Sequence, residues 1–309
     1  VLLLSALMVL SVLSGCDNKK NNNDNKLKVV TTIFPIYDWV REVLGDVDAD
    51  VEVLLNNGVD LHSYQPTVDD IAKINNADVF MYVGGESDGW VESVLESNKN
   101  VRVVNLLEVL GDSVKLEEEL EGVEHDYEHD HEDEEEYDEH VWLSLRNAKK
   151  CVEAIKDVLC ELDSSNADRY EKNAEEYIEK LELLDQKYME VVSNSKNNTL
   201  IFGDRFPFRY LVDDYNLNYY AAFVGCSSES EASFNTITFL ANKLDELGLT
   251  SILTIEGNNH KIAETIIKNT ENKNQEILTL NSMQGGILEG DTYLSIMEAN
   301  LEVLKKALN

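Results

Sequence analysis

Two series of short β-rich runs alternating with amphipathic helices, parted by one long helical stretch, constrain this chain more than any other feature. In the first series "LKVVTTIF", "DVEVLL", "DVFMYVG" and "VRVVNL" read as strands. Between them Ile36–Leu44 reads as a helix stopped by Gly45, "TVDDIAKINNA" as a helix opened by Pro66-Thr67, and Ser87–Leu95 as a third. A helix over Ser144–Leu162 closes this half. The second series runs "TLIFG", Pro207–Tyr215, "LNYYAAFV", Phe234–Leu247, "SILTIEG", Lys261–Asn269 and "EILTLN", ending in a helix from about Thr292. Such alternation implies right-handed βαβ crossovers and parallel sheets covered on both faces. The predicted fold class is α/β: two lobes, each with a mainly parallel sheet flanked by helices, joined by one long inter-lobe helix.

That joining helix spans about Asn166 to Val192. Ala167, Tyr170, Ala174, Tyr177, Leu181, Leu184, Tyr188 and Val191 recur at three- and four-residue steps, one continuous apolar stripe. At ~1.5 Å per residue it would be ~40 Å long, enough to run the length of a domain pair. The expected organisation is a leader over 1–16, a polar tether over 17–27, an N-terminal lobe over 28–163, the linking helix over 164–195 and a C-terminal lobe over 196–309.

The leader reading rests on "VLLLSALMVLSVLSGC", too short for a membrane span of ~20 residues and ending in small residues before a cysteine. Leu13-Ser14-Gly15-Cys16 resembles the bacterial lipobox, which implies lipidation at Cys16 and a place on the extracellular face of the cell membrane. "DNKKNNNDNK" then reads as a flexible tether. Cys151 and Cys160 lie nine apart in a helical pattern, on opposite faces, so they cannot bridge within one helix. With Cys226 alone and no CxxC, the cysteines read as buried thiols.

The net charge of −34 bears on partners. From Glu117 to Glu139 there are fifteen acidic residues and no basic one, close to half the excess. Such a chain is repelled by nucleic acid and anionic lipid while it attracts cations, so nucleic-acid binding is excluded. Four of the six histidines, His125, His129, His131 and His140, fall within "EHDYEHDHEDEEEYDEH". The segment is too charged to fold alone. Glu124–Glu139 reads as a mobile, low-affinity metal collector that uses His125, His129 and His131, and His140 as the first residue of a fixed site.

Ligands of open parallel sheets sit beyond the carboxyl ends of the strands. There this sequence places His62 after the second strand, His140 before a helix, and Asp204, Glu256 and Asn281 at strand ends of the second lobe. These are hard or borderline donors from both lobes. A histidine in a loop is often a polar surface residue. Here each stands at an element boundary beside an aromatic and an acidic residue, and a neighbouring carboxylate can fix an imidazole's tautomer for zinc.

The segments "GVDLHSYQPTVDDIAKINNADVFMYVG" and "DEHVWLSL" resemble the histidine signatures, roughly G-x-D-P-H-x-Y-E-P-T and D-P-H-x-W-L-D-P, of the metal-specific solute-binding family of bacterial ABC importers. Its members are zinc- and manganese-binding lipoproteins. The likeness runs over nearly the whole mature chain. It implies one divalent ion between two lobes with limited hinge motion, delivered to a membrane permease by a single copy of the protein. Carried over, His62 and His140 are the N-lobe ligands. Leu61 and Glu139 replace the two prolines, Gln65 the glutamate, and Ser144-Leu145 the final D-P, but no imidazole is lost. In the C-lobe the family's His or Glu is missing from "DRFPFRYLVDDYNL". Counting from the strand puts Asp204 there; counting back from the helix puts Arg205 there, which cannot ligate a cation. The fourth position falls near Asn281. His260 flanks its helix.

A site of two histidines and oxygens suits Zn(II) and, nearly as well, Mn(II), and the His-rich loop favours zinc. Two other functions compete. A zinc hydrolase would need a base such as Glu256 beside an open coordination position, and the sequence has neither H-E-x-x-H nor G-x-S-x-G. A receptor for a chelated metal or organic solute would need a roomy apolar cleft.

Overall fold

Strand runs rich in β-branched residues come together as two sheets of the same design in a computed structural model. It describes residues 26–309 except 56–58, 60, 98–99, 119, 124–135, 226–231, 258 and 286–288. The first sheet holds β1 (Leu27–Thr31), β2 (Ala49–Val53), β3 (Val79–Tyr82) and β4 (Arg102–Asn105) in the order β2-β1-β3-β4, every pair parallel. The second holds β5 (Thr199–Phe202), β6 (Asn218–Ala221), β7 (Ser251–Ile255) and β8 (Glu276–Leu280) in the order β6-β5-β7-β8, again all parallel. All five residues of β7 are buried, which fits a strand covered on both faces. In each sheet the winding reverses beside the first strand, between β1 and β3 and between β5 and β7. Ligands settle beyond the carboxyl ends at such reversals.

Helices form where the apolar stripe and a cap agree. They are α1 (Phe34–Leu44), α2 (Val68–Asn75), α3 (Trp90–Ser97), α4 (Leu106–Leu110) and α5 (Leu145–Leu162), then α6 (Ala167–Ser193), α7 (Arg209–Asp214), α8 (Phe234–Glu246), α9 (Lys261–Asn269) and α10 (Tyr293–Ala307). Thr67 and Asp70 form a reciprocal capping box on α2, and Ser144, Ser233 and Thr292 cap α5, α8 and α10. Gly45, at φ 61°, ends α1 as predicted.

Two local predictions change. The helix expected over Ser87–Leu95 begins only at Trp90, because Glu86–Asp88 is a 3₁₀ turn. The Asp88 carboxylate folds back to accept the N–H groups of Val83 (3.0 Å) and Gly84 (2.9 Å), which ties that turn to the strand end. Short α4 has no counterpart in the sequence reading; the Asn105 side chain caps it by accepting the Glu108 N–H.

Helix α6 links the lobes. Tyr170, Ala174, Tyr177, Leu181, Leu184 and Tyr188 bury the predicted stripe, with Ala167 and Val191 half-buried at its ends. One apolar core runs without a break through α1, α5, α6 and α10 and reaches both sheets. Tyr188 adds a polar tie, its hydroxyl donating to the Met297 carbonyl at 2.6 Å. Moving one lobe against the other by a large angle would open this shared core, so the architecture favours small motions.

Residues 1–25 lie outside the described residues, and with them the expected leader, Cys16 and most of the tether. Lys26 and Leu27, assigned to the tether, instead belong to the lobe: Leu27 opens β1 and Lys26 pairs with Asp48. Cys151 is buried, which pushes its thiol up to about 12, whereas Cys160 on the same helix is only half-buried; both are free. Cys226, His125, His129 and His131 fall outside the described residues. Among the described residues no helix is long and apolar enough to cross a membrane.

Candidate metal centre

His62 lies on the 3₁₀ turn Leu61–Ser63 that follows β2. Leu61 is 1% exposed and anchors the turn in the core, while the His62 side chain keeps 30% of its surface open. His140 directly precedes the 3₁₀ turn Val141–Leu143, whose three residues are buried, and is itself fully buried. Each imidazole therefore stands on an apolar anchor that fixes its backbone. Their Nε2 atoms face each other at 3.4 Å.

Asp138 sets the tautomer of His140. Its Oδ1 accepts the His140 backbone N–H at 2.8 Å and lies 3.0 Å from Nδ1. A carboxylate oxygen has no proton to give, so Nδ1 carries the hydrogen and the Nε2 lone pair is on the His62 side. His62 Nδ1 lies 2.8 Å from Ser87 Oγ and 3.9 Å from Glu139 Oε2. Burial pushes the nearby Asp88 carboxyl up to about 6, opposed by the Gly84 N–H and reinforced by the charge of Glu139. Two imidazole nitrogens bound at about 2.0–2.1 Å to a tetrahedral zinc would be roughly 3.3 Å apart. The observed pair fits an ion of that size.

The second lobe places its candidates at strand ends, as expected, but each is engaged locally. Buried Asp204 accepts the Arg205 N–H (2.9 Å) and the Ile255 N–H (3.2 Å), which joins the ends of β5 and β7 at their reversal. Glu256 accepts four donors, the N–H and hydroxyl of Ser282 at 2.7 and 2.8 Å and the N–H groups of Gln284 and Gly285 at 3.2 and 3.0 Å. These bonds shape the loop after β8 around the Glu256 carboxylate. Asn281 Oδ1 accepts the Met283 N–H, and its backbone exchanges two bonds with the Asn300 amide, all three at 2.8 Å. Among the described residues no three His, Cys, Asp or Glu side chains form a ready-made cluster. His260 holds the N-cap position of α9 at φ 55° without a capping bond from its side chain.

The second lobe also grips the His140 segment. Tyr210 of α7 donates its hydroxyl to the Asp138 carbonyl at 2.7 Å. The Trp142 indole donates to the Ser282 carbonyl (2.8 Å), Tyr293 donates to the Trp142 carbonyl (2.7 Å), and the Ser144 hydroxyl donates to Asp214 (2.5 Å).

The acidic stretch 117–139 is not uniform. Leu116 and Tyr137 form an antiparallel bridge, with the Glu117 N–H donating to the Glu136 carbonyl and the Asp138 N–H to the Lys115 carbonyl, both at 2.9 Å. Asp138 and Glu139 are buried parts of the histidine site, and the collector reading therefore has to stop short of them. Sequence reasoning missed Ser87, Tyr210 and the use of Glu139; the only local signal was a carboxylate beside each histidine.

A family model described as "Zinc-uptake complex component A periplasmic" matches residues 29–307. The zinc-binding lipoprotein AdcA of Streptococcus pneumoniae serotype 4 is 34% identical over 308 residues, covering 99% of this chain and 60% of that protein. This chain thus spans under two thirds of that relative's length. The high-affinity zinc uptake system protein ZnuA of Bacillus subtilis is 32% identical over 312 residues, 99% of this chain and 96% of that protein. The solved structure of a Zn(II)-bound AdcAII variant from Streptococcus pneumoniae superposes with a TM-score of 0.76 at 30% identity, covering 93% of this chain and all of that one.

Proposed function

This chain belongs to the zinc-uptake complex component A family, and from that premise we propose that it is a binding protein, not an enzyme. It captures a divalent transition metal, zinc in the first place, and hands it to the membrane permease of an ABC importer. The observation that carries this reading is the facing pair of Nε2 atoms, 3.4 Å apart, with Asp138 fixing one tautomer. Neutral imidazole is a common zinc ligand, and hydrogen-bonded partners on the far ring nitrogen strengthen it.

His62 and His140 are the nitrogen ligands of this proposal. Asp204 and Asn281 are the oxygen donors assigned from the second lobe. A carboxylate has about four acceptor sites, so the two N–H bonds of Asp204 are compatible with ligation. Glu256, met by four donors, is the weakest of the three. The chain acts as a monomer, tethered by lipid on Cys16 at the outer face of the cell membrane. His125, His129 and His131 collect ions weakly and raise their local concentration near His140.

Competitive calorimetry of the metal-free mature protein tests this, with Zn(II) first and Mn(II) second. One tight zinc per chain, with weaker further equivalents, is the expected result. Tighter manganese would reassign the cargo within the same mechanism. No tight binding of either ion would reject the site and turn the search to chelated metals or organic solutes.

A further inference from the structure

We propose that Glu139 is a positioning residue for His62: its buried carboxylate keeps the proton on His62 Nδ1 and so directs the Nε2 lone pair at the ion. The inference rests on the reading that His62 and His140 hold the metal. Glu139 is 4% exposed and stands where the family signature has proline. Its Oε1 accepts the Ser87 backbone N–H at 2.8 Å. Its Oε2 is buried without a hydrogen-bond partner and lies 3.9 Å from His62 Nδ1, on the side of the ring turned away from His140.

The 84–87 turn is built around this carboxylate. Gly85 adopts φ +86°, and a Cβ there would come within 2.3 Å of Glu139 Oε1. A side chain at that position would expel the carboxylate or break the turn. Holding the Ser87 N–H also holds its hydroxyl 2.8 Å from His62 Nδ1. That contact alone is ambiguous, since a hydroxyl donates as readily as it accepts. If Ser87 donated, His62 would carry its proton on Nε2, aimed at the site, and could not ligate. A negative charge 3.9 Å from Nδ1 settles the choice, because it attracts an N–H and repels a lone pair. Asp138 and Glu139, consecutive in the chain, thus serve one imidazole each.

The test uses ¹⁵N NMR of the imidazoles in the metal-free mature protein, alongside zinc affinity by chelator competition. In the native protein His62 should be the Nδ1–H tautomer. E139Q keeps an acceptor for Ser87 but loses the charge, and should shift His62 towards Nε2–H. Its zinc affinity should fall roughly 10- to 100-fold, the range for losing a partner behind a metal ligand. E139D retains the charge and should keep Nδ1–H with a smaller loss. An Nε2–H tautomer in the native protein, or an unchanged tautomer in E139Q, overturns the assignment whatever the affinity does. Should E139Q fail to fold, the native tautomer and E139D still decide the matter. H62A separates the premise: if it retains the tight zinc the site reading fails, while the tautomer in metal-free protein still reports on Glu139.

Discussion

The Tyr210 hydroxyl donates to the backbone carbonyl of Asp138 at 2.7 Å while accepting the Lys115 N–H at 3.0 Å. Asp138 is the residue that holds His140, and Tyr210 belongs to the other lobe. The second lobe therefore reaches the surroundings of His140 through one phenol. Y210F keeps the ring and orphans both partners. A buried polar group left unmet costs about 1–3 kcal/mol, so a comparable loss of unfolding free energy is expected. Zinc affinity should fall by up to roughly ten-fold as Asp138 loosens. Urea unfolding and chelator competition measure the two effects, and full affinity in Y210F would show that the lobe contact does not reach the histidine.

Asp138 itself acts on the imidazole directly. D138N retains an oxygen for the His140 backbone N–H but removes the charge that keeps Nδ1 protonated. Metal affinity should fall roughly 10- to 100-fold. Unfolding midpoints should move little by comparison, and equal losses in both would make Asp138 a purely structural residue.

Burial pushes the Asp38 carboxyl up to about 6, opposed by the N–H of Tyr293 that it accepts at 2.9 Å. Its folded pKa is thus above the ordinary value of 3.8. The native state takes up a proton that the unfolded chain has released. Stability from this group is full below about pH 4, declines as pH rises towards 6, and is level above that. D38N keeps an acceptor for Tyr293 and never ionises. Relative to the native protein, its stability should therefore improve on going from pH 4.5 to pH 7.5, by about 2 kcal/mol. Urea midpoints at the two pH values read this out, and a constant difference would contradict it.

Much of the fold was legible because its signals are local. A period of two or of 3.6 residues, a Thr67 cap or a Gly45 stop is written within a few positions, and both sheets and the linking helix follow from them. His62 and His140 were legible for the same reason, each inside a short motif. Their partners were not. Ser87 meets His62 from 25 residues away, Tyr210 meets Asp138 from 72, and Trp142 meets Ser282 from 140. No periodicity encodes such encounters. The second lobe shows the limit best: sequence reveals the oxygens of Asp204, Glu256 and Asn281 but not the N–H groups that already claim them.

A cut within the acidic stretch tests the proposed division between collection and binding. Residues 124–135 hold three histidines and eight carboxylates, while Glu136–Glu139 belong to the paired stem and the site. Replacing 124–135 by a short Gly-Ser link leaves the Leu116–Tyr137 bridge and the Asp138–His140 contacts in place. Calorimetry should then show one tight zinc at near-native affinity, without the weaker equivalents. Capture should also slow at low salt, because the local negative field that draws in cations is reduced. Should the tight site disappear with the stem intact, the excised residues must supply a ligand, and His125, His129 and His131 would replace Asp204 and Asn281 as the first places to look.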